Sequence, residues 1–162
     1  MHLTKEDLAD RFLFNDWANK KVLNVIGEMN DPSEGVRLFS HLITSQDKWM
    51  ARIKKTPGYE KLHWFEEPFS LSELQFRWSE SLNNWLQYLD DNTVGELNTV
   101  REFLTDEGDI FSLSPAEIVT QLNFHSPYHR AQIVYVMRLQ GMQPPSTDYS
   151  YYAVSKKKTT QA

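Results

Sequence analysis

Two histidines stand four residues apart in the stretch Leu122-Asn-Phe-His125-Ser-Pro-Tyr-His129. On a helix that spacing stacks the imidazoles one turn apart on one face. Two imidazoles so placed can chelate one metal ion, as the H-E-x-x-H zinc helices do. Here Ser126-Pro127-Tyr128 fill the interval, with no Glu to act as a base. The face is also an apolar stripe, because Leu122, His125, His129, Ile133 and Val136 follow at steps of three or four. Imidazoles on such a stripe are costly unless each finds a partner. A hydrogen-bond partner for each would serve, and a metal ion would serve both at once. His41 lies beside Leu38, Leu42 and Ser45 on another helical stripe, and can add a third nitrogen if the two helices are neighbours. Of the other histidines, His2 is terminal and His63 falls in a loop. With no Cys in the chain, disulfides, zinc ribbons, iron–sulfur clusters and a cysteine nucleophile are excluded.

The elements that carry these residues follow from periodicity and punctuation. Thr4 precedes an acidic turn, and Leu8, Phe12, Val22, Ile26 and Met29 recur at helical spacing until Asn30-Asp31-Pro32. Ser33 is expected to cap a second helix with Leu38, Leu42, Trp49 and Ile53 on its stripe, stopped by Thr56-Pro57-Gly58. A loop over 59–69 holds Trp64 and Phe65. Ser70 and Glu73 form a capping box for a third helix carrying Leu74, Trp78, Leu82, Trp85 and Leu89. Residues 97–113 read as a short β-hairpin turning at Asp106-Glu107-Gly108-Asp109. Ser114-Pro115-Ala116-Glu117 starts the fourth helix, which Gly141 ends and Pro144-Pro145 keeps from resuming. Pro127 inside it cannot donate to the carbonyl of Asn123, so a kink that aims the two histidines is expected. The expected fold is all-α: an up-and-down four-helix bundle over residues 1–154 with a short β-hairpin before the last helix, then a flexible tail over 155–162.

The histidine stretch continues as Arg130-Ala-Gln-Ile133 and reaches Gly141-Met-Gln-Pro-Pro145-Ser-Thr-Asp148. It resembles the C-terminal signature of the DinB-like (YfiT-like) family, N-x-H-x-x-x-H-R-G-Q-I followed by L-G-x-x-P-P-x-x-D. Phe14-Asn15-Asp-Trp17-Ala18-Asn19 is similar to that family's first helix. Ser40-His41-Leu42 with Trp49-x-x-Arg52-Ile53 is similar to its second, and the hairpin occupies the same place. The resemblance runs from about Leu8 to Tyr152. It implies a metal site of His41, His125 and His129 holding a divalent ion, zinc or nickel. It also implies activities like those of members that act on low-molecular-weight thiols: S-transferases, a maleylpyruvate isomerase, or a related hydrolase. Ala131 replaces the usual Gly, and Gln121 stands where some members carry an extra His. A small-molecule electrophile and a thiol brought as cosubstrate are the implied partners. A non-catalytic bundle stapled by its metal, acting as an interaction or stress-response module, is the alternative.

Several neighbours are candidates for supporting roles. Asn15 and Asn19 are expected to bond an imidazole N–H, and Tyr128 and Ser45 either to reach bound solvent or to serve as core or surface residues. Arg130 points about 100° away from His129 and is expected to pair an acid on a neighbouring helix, with contact to an anionic substrate as the alternative. Trp49 and Trp85 read as packing residues. The chain of 162 residues carries 17 basic and 22 acidic side chains, a formal charge of -5, which speaks against nucleic acid as a partner. A di-iron site would need two Glu-x-x-His strings. The chain has Glu60-Lys-Leu-His63, which falls in a loop. The charged N-terminus fits no signal segment and no run approaches the roughly 18 apolar residues of a membrane span. A cytoplasmic location is therefore expected, and an apolar helix face left exposed on so aromatic a bundle would favour a homodimer.

Overall fold

The computed structural model describes residues 3–105 and 107–160, so His2, Asp106 (expected from the sequence in the hairpin turn) and the final two residues of the chain lie outside the described residues. Four long helices form an all-α bundle: α1 (Lys5–Ile26), α2 (Ser33–Lys54), α3 (Leu71–Asp91) and α5 (Pro115–Leu139). A single-turn helix α4 (Val94–Leu97) and an antiparallel hairpin of β1 (Arg101–Leu104) and β2 (Ile110–Leu113) precede α5, and a helix α6 (Tyr149–Thr160) follows it. The hairpin before the last long helix is as expected from the sequence. The helices α4 and α6 are additions to that reading. Ser155 to Thr160, expected as tail, lie in α6.

Local hydrogen bonds explain where the long helices begin. Thr4 and Asp7, Ser70 and Glu73, and Ser114 and Glu117 each form a reciprocal capping box, so side chains satisfy first-turn N–H groups that the helix itself leaves open. The start of α2 departs from expectation. Ser33 is its first helical residue rather than its cap, and Asp31 accepts from both the Ser33 amide (3.0 Å) and hydroxyl (2.6 Å). The first helix ends at Ile26, and Met29 packs in the core from the connecting turn. At the end of α5, Gly141 adopts φ +75°, and the amides of Gly141 and Met142 bond back to Arg138 and Met137. That is the helix-ending turn for which a left-handed glycine is suited.

Side-chain contacts give the directions of the rods. Asp16 accepts from Trp78 and Lys5 donates to the carbonyl of Asp90, so α3 runs against α1. Phe39 meets Trp78, while Gln46 meets Ser81 and Trp85, so α3 runs along α2. Arg11 reaches Thr120 and Asn15 reaches Arg130, so α5 runs along α1. The chain returns from the end of α2 to the start of α3 through residues 55–70, which pass along the side of the bundle. That return, rather than a tight turn, is what lets α3 lie parallel to α2.

The buried apolar residues form two clusters. One gathers Phe12, Trp49, Trp85, Leu89 and Ile118, and the other gathers Ile26, Phe39, Trp78, Ile133 and Met137. Between them every long helix contributes buried polar groups: Asn15 and Asn19, His41 and Ser45, Ser81, and Ser126, His129 and Arg130. The bundle thus has a polar waist. Buried polar groups are stable only when hydrogen-bonded, and the partners they find at this level define the functional surfaces.

Candidate metal centre

On one side of the waist α2 and α5 bring His41, His125 and His129 together. One ring nitrogen of each lies within 4.8 Å of those of the other two. The Nε2 atoms of His41 and His125 are 3.0 Å apart, and Ser45 Oγ sits 3.4 Å from both. Ring centroids of His129 lie 4.5 Å from His41 and 4.4 Å from His125. Adjacency of α2 and α5, the condition the sequence reading left open, is therefore met. The helix passes through Pro127 as one element from Pro115 to Leu139.

Two of the imidazoles are oriented from behind. His41 Nδ1 donates to the carbonyl of Trp64 at 2.6 Å, and His129 Nδ1 pairs with Gln132 Oε1 at 2.8 Å. Both bonds place the ring proton on Nδ1 and leave Nε2 as a lone pair. Outer partners of this kind are what orient histidine ligands in metal sites. Phe65 stacks face to face on His41, with centroids 4.0 Å apart and planes 8° from parallel.

The electrostatics hold the rings neutral. Burial pushes the His41 imidazole below its ordinary range, helped by His129 and Arg37 and opposed by the Trp64 carbonyl. Burial likewise lowers His129, against its bond to Gln132. Burial, then the two neighbouring imidazoles, carries His125 down to about 4. Neutral rings facing one another are poised for a cation and poorly suited to protons.

The donor set fits a divalent metal. Two imidazole nitrogens on a tetrahedral zinc at 2.0–2.1 Å would lie about 3.3 Å apart, a few tenths of an ångström from the His41–His125 separation. No fourth His, Cys, Asp or Glu joins the group among the described residues. The cluster opens into a cavity of about 1030 Å³, walled by aromatic side chains that include Trp49, Trp64, Phe65, Phe111 and Phe124. Phe111 comes from β2, so the hairpin supplies a wall. Arg37 stands at the same cavity, its guanidinium 5.3 Å from the Phe65 ring and paired with Glu34 at 2.6 Å.

The sequence model of the DinB family matches residues 36–161, more than three quarters of the chain. The chain belongs to the DinB family. Comparison with curated proteins and with solved structures finds no match.

Other residues singled out in the sequence fall differently in this DinB-family fold. Ser45 is at the cluster as expected, and the Tyr128 ring packs edge-on against His129 at 5.0 Å while remaining exposed. Trp85 is core, whereas Trp49 is both core and cavity wall. Asn15 and Asn19 hydrogen-bond to no histidine among the described residues. They accept from Arg130 Nη1 at 2.6 and 3.0 Å, and Asn19 bonds Ser126, because their side of α1 faces the opposite flank of α5. Arg130 correspondingly pairs with amides rather than with an acid. His63 is exposed in the connection and belongs to no ligand group among the described residues. Trp64, Phe65, Gln132 and Arg37 enter the site unannounced. Of these, Gln132 was the most legible, since its spacing of three from His129 puts the two side chains in reach on one helix.

Proposed function

We propose that His41, His125 and His129 together bind one divalent metal ion, zinc or nickel, and that the cavity above them hosts thiol-dependent transfer onto a small apolar electrophile. What carries the reading is the convergence of three neutral imidazoles, two of them fixed through Nδ1, at the floor of a large aromatic cavity. A divalent ion held there would lower the pKa of a bound oxygen or sulfur nucleophile. The chain has no Cys, so a thiol nucleophile arrives as cosubstrate. Trp49, Trp64, Phe111 and Phe124 provide apolar walls that take up an aromatic or aliphatic body and exclude water from it. Arg37 at the cavity has Nε and Nη2 held by Glu34, which leaves Nη1 to donate to a polar group of a reactant. Ser45 Oγ, in reach of two ring nitrogens, is placed to donate a hydrogen bond to a group approaching them.

The test combines elemental analysis with turnover, using untagged protein and the His125→Ala variant. The expected result is about one metal per chain, lost in the variant. It is accompanied by transfer to a halide electrophile from at least one of bacillithiol, mycothiol, coenzyme A or glutathione. Metal without turnover from any of the four would discard the transferase reading and leave a metal-stapled bundle. Wild-type protein that takes up no zinc or nickel would discard the site itself.

A further inference from the structure

The waist has a second opening on the other flank of α5. There a cleft of about 610 Å³ lies between α5, which contributes Pro127, Arg130 and Arg138, and the returning segment 143–149. Arg130 is 3% exposed. Its Nη1 is committed to Asn15, Asn19 and Ser126, and its guanidinium lies 5.6 Å from the Phe14 ring centre. Its Nε and Nη2 have no protein partner among the described residues, and no carboxylate pairs with it. Neither atom is among the fully buried polar atoms that lack a partner, so both donors remain accessible, on a guanidinium that lines the cleft and has no counter-charge beside it. Neutral amides fix its direction without neutralising it.

The rest of the cleft agrees in sign. Arg138 is exposed at its edge, and Ser146 and Thr147 bring hydroxyls just before α6. The start of α6 also brings backbone N–H groups, which favour negative charge. Asp148 is the opposing carboxylate lining the cleft, and it forms no ion pair with either arginine among the described residues. Pro144 and Pro145 stiffen the outer wall. The cleft therefore carries two guanidinium groups against one carboxylate.

We propose that this cleft binds the oxyanionic group of a small molecule, a carboxylate or a phosphate, on the inward guanidinium of Arg130. The two free donors of Arg130 match a two-oxygen acceptor, the geometry in which guanidinium recognition is strongest. Arg138 closes over the ligand from the solvent side. The site is separate from the histidine cluster, since Arg130 and His129 leave α5 on different flanks.

Inorganic phosphate and succinate, titrated into the full ¹⁵N-arginine-labelled chain at constant ionic strength, test it through the Arg130 Nε–H resonance. The resonance should shift and saturate, and the probe that binds more tightly identifies the class of oxyanion. In His125→Ala the titration should be unchanged, which separates this cleft from any anion held at the histidines. Arg138→Glu, a surface change that leaves the core intact, should weaken binding by about tenfold or more. An Arg130 resonance unmoved by either probe would overturn the proposal. So would equal affinity in Arg138→Glu, or binding lost in His125→Ala.

Discussion

Acidification of the metal-free protein tests the electrostatic reading of the histidine cluster most directly. Folding holds the proton off His125, whose pKa falls from an ordinary 6.5 to about 4. Between those values the unfolded chain binds more protons than the native one, so stability rises with pH across the window and is lost as pH falls through it. A shift of that size corresponds in full to roughly 3 kcal/mol. His125 is only partly buried, and solvent screening reduces the contribution to about 1.5–2.5 kcal/mol. His41 and His129 are lowered in the same direction and add to the slope. The measurement is urea unfolding in chelator at about pH 7 and about pH 4.5, for wild type and His125→Ala. Wild type should lose more stability than the variant by roughly 1.5–2.5 kcal/mol, whatever packing the substitution removes, because that loss does not depend on pH. Parallel pH profiles for the two proteins would refute the claim that crowded, desolvated imidazoles govern this cluster.

Zinc or nickel at about 100 times its dissociation constant should stabilise the protein by about 2.7 kcal/mol, raising the melting temperature by about 5–10 °C. No metal-dependent shift in a thermal melt would count against the site. Gln132→Leu frees the back of His129 and should weaken metal binding about 10–100-fold with the fold retained, read by competition with a chromogenic chelator. Asn19→Leu removes an acceptor from buried Arg130 and both bonds to Ser126, and should cost about 2–4 kcal/mol in urea unfolding. A change below about 0.5 kcal/mol would mean the waist network is slack. Ser114→Ala breaks the capping box that starts α5 and should cost about 0.5–2 kcal/mol, seen in the same assay without loss of metal.

Much of the frame was legible in the chain itself. Capping boxes at Thr4, Ser70 and Ser114 and the stop at Gly141 are bonds among residues within a few positions, so residue types in a short window suffice to mark them. The stacking of His125 over His129 is likewise a property of one helix. Where the local signal was thin, boundaries moved: Pro32 stands at the cap position expected of Ser33, with Asp31 accepting from the Ser33 amide and hydroxyl, and α6 carries no strong apolar stripe to announce it.

What converged on those two histidines was decided between elements. His41 joins them because α2 lies against α5, and the long return over 55–70 lays Trp64 and Phe65 across the same face. The atom that orients His41 is the Trp64 carbonyl, a backbone group that every residue possesses and no residue type signals. Asn15 and Asn19 read as histidine partners in one dimension, as polar residues on an otherwise apolar helix. In three dimensions they meet Arg130 instead, on the flank of α5 to which the step of about 100° from His129 sends it. A sequence can state which faces of a helix are polar, because that depends on spacing along one chain segment. Which polar face meets which depends on how four rods pack their apolar stripes, and only the folded bundle settles that.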